Sequence, residues 1–286
     1  MIGLSVIIVC RNNLRYLPDC LASLHQSFHR LSFEVILVDN SSTDESLAFV
    51  RNKFPAVKVI ANRGNFGFSR ANNQGLKLAT GRYVMLLNAD TITKNNAIEQ
   101  LVDFLDTHPS AGAAAPKLLN IDGTVQRQGG AFSRRFWLAK EPVQVDFAVG
   151  AALVVRKEVV DRVGGLDENF FFANDDLDWC LRIRQAGWPI YFLPQVEIIH
   201  YGGYTIKKFN PLLLVEGWRG GLYFARKHYG WLAYQLYRWL LVLAMLLAIP
   251  CFVLFDRPRS AAFRDILFLT LKGEIKAKYE ENTVSH

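Results

Sequence analysis

The apolar positions of this chain fall into two alternating patterns up to about residue 200. Leu4–Val9, Phe33–Val38, Val57–Ile60 and Val84–Leu87 are short unbroken apolar runs. Such runs mark strands buried on both faces. Between them, Leu17, Leu21, Leu24 and Phe28 recur at helical spacing, as do Leu47, Val50 and Phe54, and then Phe68, Ala71, Gly75 and Leu78. Pro18 fits the first turn of its helix, where the missing N–H costs nothing. Ser42 and Glu45 have the spacing of a capping box. Strand–helix repetition of this kind predicts an α/β fold, a mostly parallel sheet flanked by helices. Further on, Ala97, Ile98, Leu101, Val102 and Leu105 predict another helix, and Ala111–Pro116 a strand of small residues. Phe147–Val155 and Pro189–Leu193 return to strand character. Residues 119–145 read as a loop with Gly123, Gly129, Gly130 and the basic Arg127, Arg134 and Arg135. A loop of that length inside a compact domain is usually functional or mobile.

Three of the first strands stop at polar clusters: Asp39, then Asn62-Arg63, then Asn88-Ala89-Asp90. Polar groups at the carboxyl ends of parallel strands line one crevice, where open α/β sheets bind ligands. Asp90 has a plainer reading as a helix cap, competing with Thr91 and Thr93. Gly64-Asn65-Phe66-Gly67 is not the G-x-G-x-x-G of a dinucleotide fold, and no Gly-Lys-Ser/Thr makes it a P-loop. A nucleotidyltransferase would need a Gly/Lys-rich loop after the first strand, which is missing. Asn174-Asp175-Asp176-Leu177-Asp178 opens a helix, and one acid there would satisfy the dipole. Asp175 and Asp176 side by side, next to Phe170-Phe171-Phe172, exceed that need. Adjacent carboxylates beside apolar surface gain proton affinity, which suits a general base. His200 beside Gly202 and Gly203 gains meaning only as a partner for Asp90.

Charge and composition narrow the picture at the C-terminal end. The formal charge of +7 suits anionic partners without selecting one. Mean hydropathy is slightly positive, +0.11. The run Ile2–Cys10 is too short for a span and lacks the flanks of a signal peptide, so it reads as the first strand. Of Cys10, Cys20, Cys180 and Cys251, three sit in apolar periodic segments, and none shows metal or disulfide spacing, which points to a reducing compartment. In residues 206–230, Lys207, Lys208, Arg219, Arg226 and Lys227 alternate with Phe209, Trp218, Tyr223 and Phe224. That pattern fits a helix on anionic lipid or one packed on the preceding domain. Trp239–Phe255 is an uncharged run of about 17 residues, the lower limit for a span, interrupted by Pro250. Trp231, Tyr234, Tyr237 and Trp239 crowd one end like an interfacial belt. A membrane-associated segment over about 231–255 is expected, as a short or re-entrant span or a monotopic anchor. Nucleic acid is not expected, because the basic residues sit beside apolar runs rather than in a polar groove.

The ordered segments Ser5-Val6-Ile7-Ile8-Val9, Val38-Asp39-Asn40-Ser41-Ser42-Thr43-Asp44, Asn62 to Phe68, Leu86 to Asp90, Gly165-Leu166-Asp167, Asp175 to Asp178 and His200-Tyr201-Gly202 resemble family 2 glycosyltransferases of the GT-A fold, in their rhamnosyltransferase-like branch. The likeness covers roughly residues 4–205. It implies a catalytic domain over 1–205 and a helical membrane-associated region over 206–286. It implies that Asp39 contacts the nucleobase, with Asn40 beside it, and that Asn62, Arg63, Asn65 and Phe68 hold the nucleoside and diphosphate. Asn88-Ala89-Asp90 occupies the place of the family's Asp-x-Asp motif, so Asp90, with His200, would bind Mg²⁺ or Mn²⁺. Asp176 matches the base, and Asp175 takes the place of the usual Glu. The implied activity is inverting transfer of a sugar, plausibly rhamnose from dTDP-rhamnose, to a lipid-linked oligosaccharide acceptor at the cytoplasmic face of the membrane. Asn88 for Asp and Asp175 for Glu are departures. They leave open an inactive scaffold of a polysaccharide assembly complex.

Overall fold

The computed structural model describes residues 2–128, 136–202, 210–253, 255–277 and 279. The first four strands are β1 (Leu4–Cys10), β2 (Phe33–Asp39), β3 (Lys58–Ala61) and β4 (Tyr83–Asn88). They run parallel in the order β3-β2-β1-β4. Helices α1 (Leu17–Gln26), α2 (Ser46–Lys53) and α3 (Gly67–Leu78) connect them. All four strands therefore end at one edge, which carries Asp39, Asn62 and Asn88. The second half of the sheet is mixed. β8 (Ala152–Arg156) pairs antiparallel with both β4 and β6 (Ala113–Leu119). β6 then runs parallel to the long β9 (Ile190–His200). Two short strands, β5 (Thr91–Thr93) and β7 (Val143–Val145), pair antiparallel with β9.

Alternate residues explain why the strands read as unbroken apolar runs. Leu4, Val6, Ile8, Tyr83, Met85 and Leu87 pack into one core, against α1 and α4 (Ala97–Thr107). Ile7, Ile36, Val84 and Leu86 pack into the opposite core with Trp179 and Ile183 of α6 (Asp175–Gln185) and Val159 of α5 (Lys157–Val163). A strand covered on both faces has no position left for a polar residue. Gly75 of α3 faces Ile7, and a Cβ there would lie 2.5 Å from its Cγ2, so a glycine lets the helix approach the sheet.

Two local expectations are corrected. Ser42 and Glu45 form no capping box: α2 begins at Ser46 with no side-chain cap, and the Ser42 hydroxyl accepts from the Asn12 N–H of the β1–α1 loop. Thr91 and Thr93 cap no helix. They belong to β5, drawn into extended backbone by pairing with His200 and Ile198. Part of the expected 119–145 loop is ordered, as the turn Phe136–Leu138 and β7. Gly129, Gly130, Arg134 and Arg135 lie outside the described residues, as do Lys207, Lys208 and Phe209.

Three helices follow: α7 (Pro211–His228), α8 (Gly230–Val253) and α9 (Arg257–Lys272). Asn210 caps α7 by accepting from the Leu212 and Leu213 N–H groups, with Pro211 in the first turn. Leu222, Tyr234, Leu241, Met245, Ile266 and Leu269 form the core between the three. Polar contacts tie α7 to the sheet-bearing half. Lys227 and His228 both reach the fully buried Asp178 carboxylate of α6, at 2.6 and 2.7 Å. Tyr223 and Lys227 donate to Asp167, holding its carboxyl down at about 2 despite burial.

Candidate active site

The Asp39 carboxylate is buried at the end of β2. Its Oδ2 accepts from the Ser42 N–H at 3.1 Å, while Oδ1 is buried with no hydrogen-bond donor among the described residues. An unpaired buried acceptor costs about 1–3 kcal/mol. Asn40, next along, builds the wall beside it. Its Nδ2 donates to Asn65 Oδ1 and the Gly67 carbonyl, and its Oδ1 accepts from the Phe66 N–H and Asn62 Nδ2. Asn62 is also paired in both directions with Gln74 of α3. Asn40, Asn62 and Asn65 thus spend their amides on holding the 62–67 loop in shape. Arg63 is exposed at its rim.

At the end of β4, Asp90 and Ala89 are buried. The pairing of β5 with β9 brings His200 back beside them: its Nε2 lies 3.3 Å from Asp90 Oδ1 and 3.2 Å from Asn88 Nδ2. The other ring nitrogen, Nδ1, lies 3.0 Å from Gln126 Oε1, and Gln126 Nε2 donates to the His200 carbonyl at 2.7 Å. Because Gln126 Oε1 can only accept, Nδ1 carries the proton in the neutral ring, and the Nε2 lone pair points toward the carboxylate. Asn88 Nδ2 donates to that Nε2 lone pair at 3.2 Å. One carboxylate oxygen and one imidazole nitrogen are ligand types that suit a divalent cation keeping further oxygen ligands. Among the described residues there is no group of three or more His, Cys, Asp or Glu side chains for a metal.

Asp175 and Asp176 open α6. Asp175 is buried, and Ser69 Oγ donates to it at 3.3 Å. Burial, then the neighbouring Asp176 charge, push its carboxyl up to about 8. Asp176 is raised by burial as well, but it is partly exposed and accepts from the Gly150 N–H at 3.1 Å and the Leu177 N–H at 2.8 Å. Backbone donors favour the charged form. The neighbouring charge keeps the two carboxyls from ionising together, and the backbone donors make Asp176 the member that ionises more readily. A carboxyl raised in the fold above its ordinary value near 3.9 stabilises the folded state fully only at low pH. That contribution is lost as pH climbs from about 4 through about 8. Asp175→Asn is accordingly expected to melt higher than the parent by at least roughly 2–4 °C at pH 8, the shift given by 1 kcal/mol. The gap should shrink toward pH 5, and a gap independent of pH would count against a protonated Asp175.

The two constellations meet at residues 150–151. The Asn88 N–H donates to the Ala151 carbonyl at 2.9 Å, and the neighbouring Gly150 holds Asp176. A Cβ on Gly150 would lie 3.4 Å from the Phe68 ring and 3.5 Å from Asp176 Cβ. On the other side, the Phe68 N–H donates to the Phe171 carbonyl at 2.8 Å, and Gly67 adopts φ +67 where a Cβ would sit 2.5 Å from that same oxygen. Gln126 and Gly150 were not singled out from the sequence. Gln126 stands in the long loop whose length alone signalled function, and Gly150 sits in a run of small residues.

The family model for glycosyl transferase family 2 matches residues 5–164. The chain belongs to glycosyl transferase family 2. This family 2 glycosyltransferase is 27% identical over 252 residues to the N-acetylglucosaminyl-diphospho-decaprenol L-rhamnosyltransferase of Mycobacterium tuberculosis, covering 76% of this chain and 82% of that one. It is 23% identical over 176 residues to the dTDP-rhamnosyl transferase RfbF of Shigella flexneri, 58% of this chain and 59% of that one. Among solved structures it is similar in fold to S. aureus TarS 1–349, with TM-score 0.59 and 21% identity over 75% of this chain and 65% of that chain. GalNAc-T7 with UDP, GalNAc and Mn²⁺ matches with TM-score 0.59 and 20% identity, over 70% of this chain and 43% of that one. The fold is the GT-A arrangement, and the chain is a rhamnosyltransferase-like glycosyltransferase of polysaccharide biosynthesis.

Proposed function

We propose that this glycosyltransferase moves rhamnose from dTDP-rhamnose to a lipid-linked glycan acceptor by a single displacement with inversion, at the cytoplasmic face of the membrane. The observation that carries this reading is the junction at residues 150–151, which sets one ionisable carboxylate, Asp176, beside the strand end that bears Asp90 and His200. The donor and acceptor classes rest on the names of the mycobacterial and Shigella relatives. The unpaired Asp39 Oδ1 suits the imide N–H of a pyrimidine base, the donor that thymine and uracil share. Asp90 and His200 would hold Mg²⁺ or Mn²⁺, an expectation supported by the fold neighbour solved with UDP and Mn²⁺. When bound, such an ion neutralises charge developing on the leaving diphosphate. Gln126 fixes the His200 tautomer and ring direction. Asp176 takes the proton of the acceptor hydroxyl as it attacks the anomeric carbon. Asp175, kept neutral beside it, avoids a second charge at the acceptor.

The test is calorimetric titration of dTDP-, UDP- and GDP-sugars with Mn²⁺ or EDTA. Binding of dTDP-rhamnose is expected only with metal, and Asp90→Ala should abolish it. Gln126→Leu should weaken Mn²⁺ binding about 10–100-fold, the usual effect of removing a partner that orients a metal-bound imidazole. Donor binding unchanged in EDTA would remove the metal from this reading. A folded protein that binds no dTDP-sugar would remove the donor.

A further inference from the structure

α8 is long and apolar enough to cross a bilayer, with mean hydropathy 2.1 and only 17% of its most apolar window buried. Its exposed residues are not scattered. Leu232, Leu236, Leu240, Leu243 and Leu247 recur every three or four positions and are 54% exposed or more, so they form one stripe. Trp239, also exposed, borders the stripe. The opposite side of α8, with Tyr234, Leu241 and Met245, faces α7 and α9. The stripe and α9 thus lie on different sides of α8.

What α9 carries decides how the stripe meets lipid. Arg238 of α8 donates to the carbonyls of Thr270 and Leu271, capping the C-terminal end of α9. Near the other end, the rings of Phe252 and Phe263 meet at 5.3 Å. The two helices are therefore antiparallel along most of α8. The two contacts bracket Arg264 and Asp265 between Leu243 and Cys251 of α8, within the uncharged run, and both are exposed. Were α8 to cross a bilayer, α9 would be carried in beside it. Two exposed charges would then sit inside the apolar slab, where ionised side chains are costly. Lying flat removes that cost. The stripe faces acyl chains over a helix of about 36 Å, while α9 stays on the water side.

We infer that α8 and α9 form a monotopic hairpin lying in the plane of an anionic phospholipid surface, with the leucine stripe inserted and α9 in water. This rests on the membrane association proposed above and selects one geometry for it. The charge is complementary: Arg226, Arg257 and Lys272 are exposed around the ends of the hairpin. Such basic residues are attracted to an anionic surface. The geometry also sets the height of the active site. α7 packs on the hairpin, and its Gly217 carbonyl accepts from Asn174, the residue before Asp175. Asp176 is thereby held at a fixed distance from the interface, where the sugar end of a lipid-linked acceptor emerges.

The native thiols allow a direct test on the full chain. Cys251 is exposed at the end of the stripe, whereas Cys10, Cys20 and Cys180 are buried. An environment-sensitive fluorophore is attached at Cys251, or at Arg264→Cys in a Cys251→Ser background. Each protein is reconstituted by removing detergent in the presence of phosphatidylcholine vesicles with or without phosphatidylglycerol. Flotation with the anionic vesicles is expected. There the Cys251 label should become shielded from iodide several-fold and quenched by doxyl-lipid, while the label at 264 stays open to iodide. Shielding of both positions would mean a span and overturn the proposal. Failure to float would overturn it too; if sedimentation then showed a dimer, a second copy of this chain covers the stripe. Donor binding is measured without vesicles, so loss of this geometry leaves the transferase reading untouched, and the reverse.

Discussion

Asp176→Asn is expected to lower the rate of sugar transfer by about 10²–10⁴-fold, the usual contribution of a positioned general base. Donor affinity should stay near that of the parent, because the proposed donor contacts, Asp39, Asp90 and His200, lie at the ends of β2, β4 and β9 and not on α6. The substitution keeps the size and shape of the side chain and one of the two acceptor oxygens, so one of the Gly150 and Leu177 N–H bonds is kept and the other lost. What is lost is the charged oxygen that takes the proton. In the parent, the rate should fall toward acid pH as Asp176 is protonated, at a pH above the ordinary carboxylate range because burial raises it. That acid limb should be missing from the residual activity of the variant. A variant that transfers sugar at the parental rate, with the same pH profile, would remove Asp176 from the proton transfer.

The second large effect is on stability. Asp178→Ala is expected to cost about 3–5 kcal/mol, the range for removing one partner of a buried ionic network. The carboxylate is fully buried and lies within hydrogen-bond distance of Arg182 Nε, Lys227 Nζ and His228 Nε2 at 2.8, 2.6 and 2.7 Å. Arg182 and Lys227 keep other acceptors, Val163, Gly165 and Asp167, but both lose the charge they surround. A fall in melting temperature on the order of 10 °C follows. Activity should fall more steeply than folded protein, because α7 loosens from the helix that opens with Asp175 and Asp176. A melting temperature within about a degree of the parent would mean that packing alone holds α7 to α6.

The patterns of apolar residues determined the parallel half of the sheet. β1, β2 and β4 are covered on both faces, so their sequences had to be unbroken runs, and such runs are legible. The same reasoning located one edge of the sheet, since a buried strand that stops at Asp39 or Asn88 must surface there. The unusual pair Asp175-Asp176 was visible because two adjacent acids exceed what a helix terminus needs. The mixed half of the sheet was not legible. β5 is three residues long, and Thr91–Thr93 become a strand only because β9 lies beside them. The distance from Asp90 to His200 is likewise a product of that pairing and not of any local signal. Gln126 has no periodicity to betray it, because its role depends on which atom of His200 it meets across the fold. The uncharged run of α8 was clear from its composition, yet composition could not distinguish a span from an anchor. That depends on where Arg264 and Asp265 lie along α8, which only the packing of α9 against α8 sets. Local sequence thus fixed what is local, the burial of strands and the chemistry at their ends; contacts between distant segments decided which of those groups act together.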